Sequence, residues 1–193
     1  MAQRYSLKET TPPAVEPLDL ADVKNFLRID HSNDDSLVSS LISSAGEICE
    51  KVTGLSLINR SYSLYIDSWK NGVLFLPQPP LVSVTVINTY AEDDSSTVYS
   101  SDNYYVDNLG VGGRVVLKHG SVAPIVGRVS NGIEVQYVAG FGTASSDIPS
   151  LIQQGMKQLI AHLYENRGDS ADKALELSGA AAIFKSYRRV SLA

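Results

Sequence analysis

The sequence is poor in the residues that build disulfides, metal centres and catalytic dyads. Its 193 residues include one cysteine, Cys49, and three histidines. One cysteine cannot form an intramolecular disulfide or a thiolate metal cluster. The histidines, His31, His119 and His162, form neither an HExxH motif nor a two-histidine helical pair, so no histidine zinc site is predicted. The composition therefore favours neither a disulfide-stabilised nor a zinc-dependent protein.

Long apolar runs and an excess of basic residues are also missing. No apolar segment approaches the roughly 18 residues of a membrane span, and the N-terminal residues lack the apolar core of a signal peptide. The formal net charge is -5, whereas binding to nucleic-acid phosphates or to an anionic membrane needs clustered Lys and Arg. We therefore expect a protein without affinity for membranes or non-specific affinity for nucleic acid, in a cytoplasm or in a particle assembled in one.

What is present first is helical periodicity. Residues 1–17 hold three prolines and are expected to form an extended arm. A first helix is predicted from Asp19, as its N-cap, to about Asp30. A stronger second helix, capped by Ser32 or Asn33, is predicted to end at Gly54. The apolar residues of the second helix recur at helical spacing: Leu37, Val38, Leu41, Ile42, Ala45, Ile48, Cys49 and Val52.

The middle of the chain changes to the two-residue period of strands. Tyr62, Leu64 and Ile66 alternate with polar neighbours, and further strands are predicted at 103–107, 114–118 and 132–138, with a glycine-rich turn at 110–113. Residues 75–90 read FLPQPPLVSVTVINTY, where prolines hold a corner between two strands. Beyond the corner, Val82, Val84 and Val86 are predicted on one face and Ser83, Thr85 and Ile87 on the other.

Helical spacing returns after Pro149 and is expected to stop near Gly168. None of the three helices can bury its apolar stripe alone, so they are predicted to pack together. The predicted class is α+β: a small bundle of two N-terminal helices and a long C-terminal helix, with an inserted antiparallel β module and a flexible C-terminal tail. The predicted domains are an arm at 1–17, the bundle at 18–55 and 148–168, the β module at 56–147 and the tail at 169–193.

The tail could hold a short helix from Ala171 to Ser178, broken at Gly179, and then becomes aromatic and basic. Aromatic residues beside arginine are typical of interface anchors. The candidate docking residues are Phe184, Lys185, Tyr187, Arg188 and Arg189.

Other motifs fit structural roles better than chemical ones. Cys49 lies on the apolar face of the second helix, where a buried thiol is expected to be inert. The acidic segment 30–34 lacks the glycine and glutamate of an EF-hand loop. Gly140-Phe141-Gly142 lacks the third glycine of a dinucleotide loop, and no GxSxG elbow is present. No catalytic residue, metal ligand or cofactor is therefore predicted.

Five segments, in order, resemble the head-to-tail connector (adaptor) proteins of tailed phages and prophages. They are EPLDLADVKNFLRID (16–30), TGLSLINRSYSLYIDSW (53–69), the proline corner, IPSLIQQGMKQLIAHLYENRGD (148–169) and, more weakly, FKSYRR near the end. Gly168 departs from the acidic residue commoner in that family, and the loops from 91 to 131 match little.

The resemblance implies a structural, non-enzymatic virion protein in the neck, at the interface of head and tail. It implies a dodecameric ring under the portal vertex, a C-terminal segment docked on the portal protein, a stopper or tail-completion protein on the opposite surface, and passage of DNA without specific binding. A candidate ring interface is the charged end of the last helix, Tyr164, Glu165, Asn166 and Arg167. For Arg167, capping of the helix C-terminus is an equally good interpretation.

Two other function classes stay open from the residues alone. One is a monomeric α+β module that binds a protein or peptide through its β block. The other is a hydrolase whose site is assembled from residues distant in sequence, which would require a pocket with convergent carboxylates or a Ser-His pair.

Overall fold

The computed structural model describes residues 5–110 and 112–188 and contains two compact units. The β unit comprises the N-terminal residues up to Pro12 and the segment Asn59–Gly140. The helical unit begins at Pro13, runs to Ile58 and resumes at Phe141. The α+β class predicted from the sequence is confirmed. None of the described helices is long and apolar enough to cross a bilayer.

The helical unit contains more helices than the three predicted. A single apolar core joins them, with Val23, Val38, Ile152 and Leu159 among its completely buried side chains. The helices are α1 (Leu20–Leu27), α2 (Asp35–Thr53), α3 (Ser150–Glu165), α4 (Ala171–Leu177) and α5 (Ala180–Tyr187).

The helix ends depart from the predicted ones for identifiable reasons. The first helix stops at Leu27 because Arg28 adopts the left-handed conformation, with φ 60°. Asp34, rather than Ser32 or Asn33, occupies the N-cap of α2. Gly54 ends α2 as predicted, with φ 72°.

Helix α3 stops at Glu165, three residues before Gly168. Asn166 terminates it, because its backbone leaves the helical region, with φ -116° and ψ 62°, while its side-chain amide donates to the carbonyl of His162 at 3.0 Å. That carbonyl also accepts the last helical hydrogen bond, from the backbone N–H of Asn166 at 2.8 Å.

The flexible tail expected at 169–193 is wrong for its described part. Ser170 caps α4 by accepting from the backbone N–H of Lys173, and Gly179, with φ 79°, separates α4 from α5. The side chains of Ala174, Ala180 and Phe184 are completely buried in the helical core. The apolar residues of the segment therefore complete the bundle instead of remaining free.

Close packing of α3 against α5 depends on one glycine. A Cβ atom on Gly155 would lie 2.8 Å from Cε1 of Phe184 and 3.2 Å from Cγ2 of Ile183. A larger residue at position 155 would therefore push the two helices apart.

The β unit contains two antiparallel sheets. Five strands form the larger sheet in the order β1-β2-β8-β4-β5, and three form the smaller one in the order β3-β7-β6. The strands are β1 (Tyr5–Thr11), β2 (Arg60–Ile66), β3 (Val73–Phe75), β4 (Leu81–Tyr90), β5 (Ser96–Val98), β6 (Tyr104–Asp107), β7 (Arg114–Leu117) and β8 (Ile133–Ala139).

Alternation along β2 and β8 builds the core of this unit. Tyr62, Leu64 and Ile66 of β2 lie opposite alternate residues of β8, and both sets are buried against apolar residues of the smaller sheet. Burying one such aliphatic side chain stabilises the fold by about 1.5–3 kcal/mol. The strand predictions near 62–66, 103–107, 114–118 and 132–138 are confirmed to within a residue or two.

The N-terminal segment is part of the larger sheet, whereas the sequence predicts an arm. Strand β1 pairs with β2, with Leu7 opposite Leu64. The arm is extended over these residues, but its backbone hydrogen bonds are made within the sheet.

The predicted alternation along β4 is wrong. The register with β8 shifts between Leu81 and Ser83 and again between Val84 and Val86. Such irregularities move later side chains to the other face. Leu81 and Ile87 are consequently buried, while 39% of Val82 is exposed.

We expect Phe184→Ala to destabilise the chain by about 3–5 kcal/mol, because it leaves a cavity in the helical core. Urea unfolding measures the effect, and Lys185→Ala, at the adjacent exposed position, is the matched control. Equal stability of the two variants would contradict the packing described for α5.

Candidate interaction surfaces

The five candidate docking residues of the C-terminal segment have different environments. Phe184 is completely buried, which corrects its assignment as a surface anchor. Tyr187 is half-buried and packs against the same core. Lys185 and Arg188 are exposed, and Arg189 lies outside the described residues. Among the described residues of this set, Lys185, Arg188 and the outer part of Tyr187 are accessible to a partner protein.

Among the four candidate ring-interface residues at the end of α3, Tyr164 connects two helices. The hydroxyl of Tyr164 donates to Oδ2 of Asp34 at 2.6 Å, which joins α3 to the start of α2. This hydrogen bond is the main reason that the pKa of Tyr164 is raised. Asp34 makes no side-chain capping hydrogen bond to α2.

Glu165 and Arg167 are exposed beside it. The guanidinium of Arg167 lies 5.6 Å from the ring centroid of Tyr164, and its Nε donates to the carbonyl of Tyr164 at 3.4 Å. Arg167 thus makes the helix-end contacts of the capping interpretation while its charge stays accessible to solvent.

A polar cluster missed by the sequence analysis surrounds Glu134 in the larger sheet. Glu134 is 4% exposed and lies directly opposite Tyr65 on β2 and Asn88 on β4. Its carboxylate accepts from five side chains at 2.8–3.2 Å: Ser63, Tyr65, Asn88, Tyr90 and Gln136. The available signal was a single acidic residue within the apolar alternation of IEVQYVA.

The five donors determine the ionisation of this cluster. Burial, the largest influence, raises the pKa of Glu134, but the hydrogen bonds from Tyr90, Ser63, Asn88 and Gln136 outweigh it and lower the pKa to about 2. The hydrogen bond between Tyr90 and Glu134 also raises the pKa of Tyr90 to about 12. Glu134 is therefore a carboxylate whose hydrogen-bonding capacity is used within the sheet, and its chemistry is structural.

The cysteine and the three histidines also occupy positions that fit structural or solvent-exposed roles. Burial, followed by the charge of Glu50, raises the pKa of Cys49 to about 12, as expected for an inert thiol. His31 and His119 are exposed, and His162 lies 3.0 Å from Oδ2 of Asp169. Among the described residues, no three His, Cys, Asp or Glu side chains are grouped to hold a metal ion.

A groove of about 470 Å³ opens in the helical unit. Leu18 and Ile42 supply buried apolar surface, and Glu16 and Asp19 supply carboxylates. Glu16 accepts from Oγ of Ser43 at 2.9 Å, and Asp19 accepts from Oγ of Ser145 at 3.1 Å. Its carboxylates are thus engaged by serines, and the residues lining it within the described chain include no histidine.

Large apolar side chains are exposed in the loops of the β unit. Leu109 is 96% exposed, Ile125 88% and Val129 96%. Ile125 and Val129 lie on one loop, and apolar exposure grouped in this way marks a surface that contacts another macromolecule. Together with the basic C-terminal segment, these loops indicate a protein that works by binding other macromolecules through its surface. It is built from a helical unit and an antiparallel β unit.

The comparisons with known proteins agree with this class. A family model described as head completion protein matches residues 17–190. A chain from the neck of an empty gene transfer agent (GTA) particle, computed with C6 symmetry, is 24% identical to this chain, with a TM-score of 0.82. A chain of the neck of a native GTA particle, computed with C12 symmetry, is 25% identical, with a TM-score of 0.78. Both likenesses cover 97% of each chain. No curated protein matches significantly.

The family match spans almost the entire sequence, so the chain belongs to the head completion protein family. This membership confirms the connector role predicted from the sequence, and the family is one of structural phage proteins. The solved structures share the fold over both units.

We expect Glu134→Gln to remove part of the acid sensitivity of the fold. The pKa of Glu134 is about 2 in the folded chain against an ordinary 4.5, so its contribution is full above about pH 4.5 and is lost as the pH falls towards 2. The unfolding free energies of the Glu134→Gln variant and of the unmodified chain, measured between pH 2 and 7, should differ most at neutral pH and converge on acidification. Glu47→Gln, at an exposed position of α2, is the control. Parallel curves for Glu134→Gln and the unmodified chain would contradict this role.

Proposed function

We propose that this chain forms a ring of identical copies in the neck of a phage-like particle, where it joins the head to the tail. The family match carries the proposal, because it assigns nearly the whole chain to head completion. The ring is supported by the likeness to a chain of a neck with C12 symmetry, from which we infer a ring of twelve copies.

The portal protein is the proposed partner of the C-terminal segment. Lys185 and Arg188 are exposed next to the half-buried ring of Tyr187, a combination suited to an acidic protein surface. Helix α5 is anchored by Phe184, so this segment is presented from a folded helix rather than from a free tail. Presentation from an ordered helix lowers the conformational entropy lost on docking.

DNA is proposed to pass through the ring without being held. The formal net charge of -5 gives each copy an excess of acidic groups, and like charges do not bind phosphates. The opposite surface of the ring would receive a stopper or tail-completion protein.

Glu165 and Arg167 are proposed to contact a neighbouring copy. Both carry charges that are exposed to solvent at the end of α3, whereas the side chains of Tyr164 and Asn166 are neutral and hydrogen-bonded within the chain. The candidate ring contact is therefore reduced from four residues to two.

The competing interpretation is a monomeric module that binds a protein or peptide. The groove beside Leu18 favours it, but this groove lies in the helical unit and not in the β block that the sequence predicts as the binding site. A chain that remains monomeric and does not bind its portal would support this alternative. Incorporation into particles, with rings visible by electron microscopy, would support the connector.

Reversing the basic charges with Lys185→Glu and Arg188→Glu together should abolish binding to the cognate portal protein. Both side chains are exposed, so the unfolding free energy should change by less than about 0.5 kcal/mol. Pull-down with purified portal measures binding, and Lys51→Glu, on the exposed face of α2, is the control. Unchanged portal binding by the double variant would refute the proposed role of this segment.

Arg167→Ala should impair ring assembly more than it lowers the melting temperature. Its contacts within the chain are an exposed cation–π pair and a long hydrogen bond, which together contribute on the order of 1 kcal/mol. Mass photometry of chain mixed with portal measures assembly, and Lys51→Ala, at an exposed basic residue in the last turn of α2, is the control. Lower stability with normal assembly would identify Arg167 as a helix cap.

A further inference from the structure

The first of two apolar surfaces in the β unit lies on the outer face of the smaller sheet. Phe75 and Tyr105 are 58% and 63% exposed. Phe75 lies opposite Arg114, and Tyr105 lies opposite Val116, two residues further along the same strand, so all four side chains share one face. The other face of this sheet packs into the core.

Two more exposed apolar side chains lie at the turn between β6 and β7 and at the start of β4 beside it. The side-chain amide of Asn108 donates to the carbonyl of Val82 at 3.0 Å, which fixes the turn beside the start of β4. Val82 is 39% exposed and Leu109 is 96% exposed. We call Phe75, Val82, Tyr105 and Leu109 the sheet patch.

The second surface lies on the loop before β8. Ile125 is 88% exposed and Val129 is 96% exposed. Their loop is nevertheless fixed: the N–H groups of Gly127 and Arg128 donate to the carbonyl of Tyr90 at 3.0 and 3.3 Å. We call Ile125 and Val129, with the neighbouring turn 92–94, the loop tip.

Further hydrogen bonds hold the ends of this loop. The hydroxyl of Tyr99 donates to the carbonyl of Val122 at 2.7 Å, and the N–H of Asn131 donates to Oδ1 of Asp67 at 2.9 Å. An anchored loop that keeps its aliphatic side chains outward loses little conformational entropy when a partner covers them.

Val82 and Leu109 of the sheet patch lie at the opposite end of β4 from the loop tip. The sheet patch adjoins Val82 near the first residue of the strand, and the loop tip adjoins Tyr90, the last. A strand of this length spans about 30 Å at roughly 3.3 Å per residue. One copy therefore cannot cover its own Val82 and Leu109 with its own loop tip.

Opposite charges flank the two surfaces. Each contains an internal ion pair, Asp107 with Arg114 at the sheet patch and Asp94 with Arg128 at the loop tip. Beyond these pairs the sheet patch carries Lys118, whose Nζ lies 5.0 Å from the ring centroid of Tyr105. The loop tip carries two more acidic residues, Glu92 and Asp93, both exposed.

We propose that the sheet patch of one copy receives the loop tip of the next copy around the ring. The contact joins two different surfaces, as a cyclic head-to-tail assembly requires. Apolar side chains meet at its centre, and Lys118 faces the acidic turn of the neighbour at its rim. The inference rests on the proposed ring and assigns a second copy of this chain as the occupant of both surfaces.

The experiment uses Leu109→Cys and Val129→Cys in the full-length chain, with a short, flexible bis-maleimide. Both positions are 96% exposed, whereas native Cys49 is completely buried and should not be labelled. In assembled particles, the variant carrying both cysteines should give a ladder of linked chains on a denaturing gel. A mixture of the two single-cysteine variants should give dimers and nothing larger.

Each single-cysteine variant alone is the matched control and should remain unlinked. Linking of either single variant to itself would show that the surface meets its own copy, which overturns the proposal. Particles that contain the variants without any linking also overturn it, as does linking to another particle protein, and the proposed function survives both results. Absence of the folded chain from particles would overturn the proposed function as well.

Discussion

The β unit depends on the central position of strand β8. It pairs with β2 on one side and β4 on the other, so each residue acts on two neighbouring strands at once. One face of the strand, with Ile133 and Val135, fills the apolar core. On the opposite face, Glu134 accepts hydrogen bonds from β2, from β4 and from its own strand. One strand thereby fixes the register by apolar burial and by a buried carboxylate together.

The position of β8 also determines where the β unit presents its loops. Pairing with the full length of β4 holds the first residues of that strand near the β6–β7 turn and its last residue near the loop 119–131. The apolar side chains exposed there therefore have fixed positions relative to one another. A rigid sheet with apolar ends suits a subunit that must meet identical neighbours at a constant angle.

Local periodicity was enough to predict α2, α3, β2 and β8, because their burial pattern repeats within the element itself. The fate of the C-terminal segment could not be predicted in this way. Its apolar residues are small or isolated, and Phe184 is buried only because Gly155, distant in sequence, leaves room for its ring. Phe184 therefore looked like an interface anchor until its packing against α3 was known.

The Glu134 cluster and the irregular pairing of β4 could not be predicted from the sequence for a related reason. The donors to Glu134 come from positions 63 to 136, and their convergence exists only in the assembled sheet. Likewise, nothing in the alternating valines of β4 reveals the register shifts beside Ser83 and Val86. Among the site residues, the exposed ones at 165, 167, 185 and 188 were predicted as surface, whereas the exposed loops from 91 to 131 received no role.

The size of the exposed apolar surfaces bears on when a ring can form. Full burial of an aliphatic side chain contributes about 1.5–3 kcal/mol, and the sheet patch and loop tip together offer six large apolar side chains. Association of two copies costs about 4–15 kcal/mol in lost translational and rotational freedom. The burial term and this cost are of similar size, so one contact between two free copies leaves little net free energy of association. Copies held side by side through exposed Lys185 and Arg188 on a portal would already have met much of that cost. The same contact would then close a ring there while leaving the free chain largely monomeric.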